Sequence, residues 1–231
     1  MSLFPELDSP KTKIHSEKRY SPKEWRTLSN CDEIYTPPYA LLPELVAMLR
    51  EFVGDGYIWE PCAGQGHLTG YLKEAGFKVV STTLGNAVRE IPAEWDCNEL
   101  KAWDGDFLNA PNCLRCRNEI RAIVTNPPFS ISDKIIQEAL VFKGVVALLM
   151  PTSRLNGVAR HELYDRAGYP YVLIPNRRIN YITPNNGKSA QQDTYWFTWG
   201  LADAGYKGVK MDRKLKPMNW RREGHYSGKS L

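Results

Sequence analysis

The sequence predicts an α/β protein with a mostly parallel central sheet and helices on both faces. Three observations carry that expectation. Apolar runs of strand length alternate with segments of helical periodicity between about residues 40 and 199, and such alternation implies right-handed βαβ crossovers. Val145 to Met150 is apolar without a break, as suits a parallel strand covered on both sides. A glycine-rich turn, Gly64-Gln65-Gly66, stands between a strand-like and a helix-like segment.

Residues 1–34 are polar and broken by prolines, with Phe4, Tyr20 and Trp25 as large anchors, and read as an arm, partly extended, outside the core. The first helix follows Pro37-Pro38: Ala40, Leu41, Leu45, Val46, Leu49 and Phe52 recur at helical spacing, and Gly54 and Gly56 close it. Tyr57-Ile58-Trp59 is a short strand running into the glycine turn. A helix from His67 to Ala75 ends at Gly76, and the run Phe77 to Thr83 is β-rich. Past a less regular middle, Ile120–Thr125 reads as a strand, Ser132–Phe142 as a helix and Gly157–Ala167 as another. Two late strands, Tyr171–Ile174 and Thr194–Trp199, flank a polar loop. In such sheets ligands sit beyond the carboxyl ends of the strands, so the turns after Trp59, Thr83, Phe107, Thr125 and Pro151 are expected to line one crevice.

A chain of 231 residues with 42% hydrophobic and 24% charged residues forms one sizeable core and is neither wholly disordered nor collagen-like. No stretch reaches the roughly 20 apolar residues that cross a bilayer, and the opening MSLFPELDSPKTK lacks the apolar run of a signal peptide. Five irregularly spaced cysteines do not make a disulfide framework, so an intracellular protein with reduced thiols is expected. Charge is unevenly placed. Residues 206–231 hold eight Lys/Arg against two Asp/Glu, a surplus of six positive charges, although the whole chain carries +4. A basic tail on a near-neutral body suits either a polyanion partner or a solubilising role.

Two motifs carry chemistry. The first is Glu60-Pro61-Cys62-Ala63-Gly64-Gln65-Gly66. A P-loop would require Gly-Lys-Ser/Thr, but His67-Leu68 follows Gly66. A dinucleotide fingerprint would place a glycine where Thr69 stands, although Gly70 keeps a looser version open, and its ribose acid is absent after the Phe77–Thr83 strand. A turn for S-adenosylmethionine, with an acid at the strand end followed by Gly-x-Gly, suits Glu60 better, because a carboxylate attracts an amino group and repels phosphates. A purely structural glycine turn is the bland alternative.

The second is Asn126-Pro127-Pro128-Phe129, after the apolar strand. An exocyclic amine on an aromatic base is a poor nucleophile because its lone pair is delocalised. The Asn126 amide oxygen and the Pro127 carbonyl, both accepting from the NH₂, can localise that lone pair toward an incoming methyl group. Pro127 and Pro128 restrict the backbone and remove competing donors. Phe129 offers a flat face to a base taken out of its stack. The bland alternative is a rigid turn with a core-capping aromatic.

With these motifs in this order, the chain resembles the S-adenosylmethionine-dependent amino-methyltransferases, most closely the DNA N6-adenine methyltransferases of the small phage type, over about residues 33–200. The resemblance implies a Rossmann-like methyltransferase domain at 35–205 and a cytoplasmic setting in a bacterial or phage-infected cell. It implies S-adenosylmethionine as cofactor, DNA as partner with RNA as an alternative, and no membrane. Tyr35, Thr36 and Pro37 resemble the family's cofactor-pocket segment, with Glu60, Pro61, Cys62, Ala63, Gly64 and Gly66 around the methionine part. Asp104-Gly105-Asp106-Phe107-Leu108 resembles the element whose acid binds the cofactor adenine, Asp106 accepting from its amine and Phe107 packing on its ring. Asn126, Pro127, Pro128 and Phe129 match the catalytic loop. One departure is visible. The family usually ends its second strand in an acid for the cofactor ribose, whereas here Ser81-Thr82-Thr83 and then Asn86 stand there. Thr82 and Thr83 are candidate ribose contacts, with weaker neutral bonds, Asn86 is a further candidate substitute, and a cofactor-binding protein without turnover stays open. Methylation of RNA or of a protein glutamine amide is the alternative activity.

Cys113 and Cys116, with Cys97 upstream, lack a second pair at metal spacing and read as reduced thiols rather than a zinc site. Arg177, Arg178 and Lys188, in a loop rich in Asn and Gln, are candidate nucleic-acid contacts. Trp220, Arg221 and Arg222 of the basic tail extend that expectation.

Overall fold

In the computed structural model, residues 36–86, 90–95, 98–181 and 193–200 are described. The expected arm at 1–34, the basic tail at 206–231, and the individual residues Tyr35 and Lys188 lie outside them.

Helix α1, Pro43–Val53, buries Leu45, Val46, Met48, Leu49 and Val53 along one stripe and ends at Gly54. It starts three residues later than periodicity suggested. Leu42 precedes Pro43, a residue before proline is pushed to extended backbone, and Leu42 has ψ 141°. Pro43 then occupies the first helical position, where its missing N–H is harmless. Pro38–Ala40 forms a separate 3-10 turn, tied to the sheet by the Trp196 indole, which donates to the Ala40 carbonyl at 2.6 Å.

Strand β1, Tyr57–Glu60, leads to α2, His67–Glu74, and strand β2, Lys78–Ser81. The irregular middle holds two short helices, α3, Asn98–Ala102, and α4, Asn112–Arg115. Strand β3, Ile120–Thr125, precedes α5, Ser132–Ala139, and strand β4, Val145–Pro151. Helix α6, Val158–Ala167, leads to strands β5, Tyr171–Leu173, and β6, Thr194–Trp199.

The six strands form one sheet in the order β2-β1-β3-β4-β6-β5. β2, β1, β3 and β4 pair in parallel, and β6 inserts antiparallel between β4 and β5. All seven residues of β4 are buried, as its unbroken apolar run predicted. Successive residues alternate between two cores. Ile58, Val79, Val124 and Leu149 pack under α1 and α2, while Trp59, Val80, Ile123 and Leu148 pack under α3 to α6. The fold is therefore mixed α/β, Rossmann-like, with helices on both faces. Among the described residues no helix is long and apolar enough to cross a membrane.

Candidate active site at the switch point

From β1 the chain steps outward to β2, and from β3 it steps the opposite way to β4. Right-handed crossovers then place α2 and α5 on opposite faces, which opens a crevice beyond the carboxyl ends of β1 and β3. Glu60 ends β1 and Thr125 ends β3, so both motifs flank this crevice.

Backbone bonds hold the first motif. Thr82 N–H donates to the Glu60 carbonyl at 2.9 Å, Ala63 N–H to the Thr82 carbonyl at 3.0 Å, and Gly66 N–H to the Ala63 carbonyl at 2.7 Å. Gly64 and Gly66 have φ of 53° and 81°, in the left-handed region that side chains avoid. A Cβ at Gly64 would meet nothing within 4 Å. Backbone conformation, not crowding, therefore calls for glycine there, and space beside the turn stays open.

Glu60 is 2% exposed and accepts a hydrogen bond from the Thr69 hydroxyl of α2. Burial pushes its carboxyl up to about 8, with the Thr69 bonds pulling the other way and no cation contributing. Such a carboxyl is proton-bearing at neutral pH and gains most from a ligand that brings an ammonium group. This chemistry fits the amino acid end of S-adenosylmethionine. The neighbouring Cys62 thiol is pushed up to about 12 by burial and offers no thiolate.

Side chains hold the second motif. The Asn126 amide nitrogen donates to the Thr36 hydroxyl at 3.1 Å, and Thr36 is itself buried. That bond orients the amide with its oxygen on the opposite branch. The Phe129 ring is half-buried and meets Tyr181 edge-on at 6.1 Å. The Phe129 carbonyl accepts from Ser132 Oγ at 3.0 Å and from Arg154 Nη2 at 2.6 Å. Arg154 lies 3.5 Å from Asp133, and its own carbonyl accepts from the Tyr164 hydroxyl at 3.0 Å. Asp133 in turn accepts from Arg160 Nε at 2.8 Å and Nη2 at 3.0 Å. That bond to Arg160 keeps the Asp133 carboxyl below the usual range despite partial burial. A loop that two prolines leave poor in backbone donors is thus clamped from α5, α6 and the turn after β4.

No family model matches the chain, and no curated protein does. Thirteen chains of solved structures do match. One, from Pyrococcus horikoshii and described as a "putative RNA methyltransferase", is 14% identical, with a TM-score of 0.44 over 67% of this chain and 80% of its own.

The Asp104–Leu108 element reaches the same end of the sheet, where Gly85 N–H donates to the Asp104 carbonyl at 2.9 Å. It forms a short 3-10 turn, Phe107–Asn109. Asp106 caps that turn. Its Oδ1 accepts from Leu108 N–H at 3.0 Å and its Oδ2 from the Asn109 amide at 2.8 Å, each oxygen keeping a further lone pair.

Two expectations need correction. The Thr82 hydroxyl is fully buried and accepts from the Trp59 indole at 3.0 Å, so it faces the core and not a ribose; Thr83 is the half-buried member of that pair. Phe107 is 4% exposed and packs edge-on against Trp59 at 5.1 Å, which leaves no face for a cofactor ring. Pro128 stays partly exposed beside the buried Pro37, Pro61, Ala63 and Pro127. Arg177 lies over the Tyr39 ring at 3.7 Å, and Arg178 pairs with Asp193 at 2.7 and 3.3 Å; both arginines are exposed. Among the described residues Cys113 and Cys116 enter no disulfide, and no group of three potential metal ligands forms.

Sequence reading missed Thr69 and Arg154. Thr69 was the position where a third glycine was sought, yet it supplies the hydroxyl that Glu60 needs. Arg154 lies three residues beyond Pro151, in a turn already expected at the crevice, but no spacing signals that it reaches back to Phe129.

Proposed function

We propose that the protein transfers a methyl group from S-adenosylmethionine to the exocyclic amine, N6, of adenine in DNA. The observation that supports this reading is a pairing at one crevice. A buried carboxyl without a cation, Glu60, ends β1, and an asparagine whose amide is oriented through Thr36 follows β3 on a clamped Pro-Pro loop.

When bound, S-adenosylmethionine supplies a methyl group already activated by its sulfonium. Glu60, released from its proton, holds the ammonium end, and the open turn at Gly64 and Gly66 admits it. Thr83 serves the ribose, and Asp106 accepts from the adenine amine. The target base leaves its stack and lies against Phe129. The Asn126 oxygen and the Pro127 carbonyl accept from its NH₂, which concentrates the nitrogen lone pair toward the methyl carbon. Once methylated the nitrogen is acidic and gives its proton to water. The chain thus contributes positioning and desolvation rather than acid–base chemistry. Arg177 and Arg178 at the rim, with Lys188, contact phosphates.

Incubation with labelled cofactor and separate DNA, RNA and protein substrates, followed by digestion to monomers, tests this. Label in N6-methyladenine from DNA, absent with Asn126→Ala, is the expected result. Label confined to RNA or to glutamine overturns the DNA assignment, and DNA binding without any turnover marks a non-catalytic module.

A further inference from the structure

A second cleft, of about 450 Å³, runs along the face of the sheet, lined by residues of the turns that precede β3 and β4 and, deeper in, by Trp59, Phe107 and Ile123. Its charged lining is Arg115, Arg117, Arg121, Lys143 and Glu138. Arg115 and Glu138 satisfy each other at 2.6 Å, and Arg115 also donates to the carbonyls of Phe107, Leu108 and Ala110. Arg117 lies over Trp95 at 4.5 Å, with the exposed Glu119 at 3.6 Å. Arg121 and Lys143 are exposed and enter no ion pair among the described residues.

The local backbone is shaped around these groups. Tyr57 pairs with Ile120 but Ile58 with Ala122, so Arg121 is the extra residue of a β-bulge, a device that re-aims a side chain. A Cβ at Gly56 would lie 2.4 Å from Arg121 Cγ. A Cβ at Gly144 would lie 2.4 Å from the Phe142 ring and 2.5 Å from the Arg121 carbonyl. Neither glycine has a left-handed φ, so close approach alone demands them. The same cleft holds Val141, 74% exposed, beside the half-buried Phe142.

We propose that this cleft binds a nucleoside monophosphate. Arg121 and Lys143, with Arg117 beside them, take the phosphate, since guanidinium and ammonium groups make charge-assisted bonds to its oxygens. The flat base lies against Phe142 and Val141. The volume suits a small ligand.

Calorimetric titration of the full chain with adenosine 5′-monophosphate tests this without any methylation assay. Binding is expected for the monophosphate and much weaker binding for adenosine. Arg121→Glu or Lys143→Glu is expected to reduce affinity at least about tenfold, whereas Asn126→Ala and Glu60→Gln leave it unchanged. Should the bulge variant fail to fold, Lys143→Glu, on an exposed turn, carries the test. Equal affinity for adenosine, no binding up to millimolar ligand, or affinity lost in Glu60→Gln but kept in Lys143→Glu overturns the proposal.

Discussion

The two loops that flank the switch point are held in opposite ways. Glu60–Gly66 is stitched to the end of β2 by backbone hydrogen bonds and carries a buried carboxyl, Glu60, in an electrostatically costly position. Asn126–Phe129 has few backbone donors of its own and depends on a chain of side chains, Thr36, Ser132, Arg154 and Asp133. The first arrangement stores a preference for a cation. The second stores a geometry. Changes in the first are therefore expected to alter affinity and its pH dependence, and changes in the second to alter turnover at unchanged cofactor affinity.

The largest effect is expected for Asn126→Ala. Losing the acceptor aimed at the reacting nitrogen is expected to lower turnover on the order of 10²- to 10³-fold, with cofactor dissociation constants unchanged in equilibrium titration. A parallel loss of cofactor affinity would erase the division between the two loops.

Glu60→Gln follows, with the opposite signature. At pH 7 the empty site holds a proton on Glu60, whose carboxyl is raised by burial to about 8, well above the usual carboxylate range, and an ammonium ligand expels it. Calorimetry in buffers of different ionisation enthalpy is expected to report release of about one proton per cofactor, and none for Glu60→Gln, which binds about ten- to a hundredfold more weakly. Stability without ligand moves the other way. Between pH 4.5 and 8 the folded chain holds a proton that the unfolded chain has released, so folding stability falls as pH rises through that window. Glu60→Gln escapes this loss, and urea melts are expected to show it gaining a few kcal/mol over the parent from pH 5 to pH 9.

Arg154→Ala sharpens the other side. With Phe129's carbonyl released from the guanidinium, turnover is expected to fall about tenfold through misplacement of the loop, with cofactor affinity intact and Arg154→Lys giving partial rescue. An unchanged turnover number would show that Ser132 and the prolines suffice.

Much of the scaffold was legible because strand burial is written in local apolar runs: Val145–Met150 and Ile120–Thr125 lie where the pattern put them. Element ends were less so. Helix α5 stops at Ala139 rather than Phe142, since Gly144 must pass against the Phe142 ring and the Arg121 carbonyl. At the site, the residues carrying a motif were readable, but the ones that orient them were not. Thr36 meets Asn126 across 90 positions, and Arg154 reaches Phe129 across 25. Such pairings arise from topology, not from spacing. Thr82 and Phe107 failed for a related reason. Residue type suggested a ligand contact, but Thr82 faces the Trp59 indole and Phe107 packs on the Trp59 ring.

Thr69→Val is expected to produce the smallest effect and gives the finest test of the first loop. The hydroxyl-to-methyl exchange keeps the volume of a buried helix position while removing the bond to Glu60. That bond holds the carboxyl's affinity for protons down, so its loss raises the carboxyl further and makes the proton a stronger competitor of the ammonium group. Cofactor affinity at pH 7 is then expected to fall several-fold, while turnover at saturating cofactor stays as in the parent. The removed hydrogen bond costs about 1 kcal/mol of stability. What distinguishes proton competition from simple loss of packing is pH. Proton competition weakens as pH rises, so Thr69→Val is expected to approach parental affinity near pH 9, whereas a distorted turn stays weak at every pH. A deficit independent of pH would mean that Thr69 shapes the turn rather than tuning the charge at the end of β1.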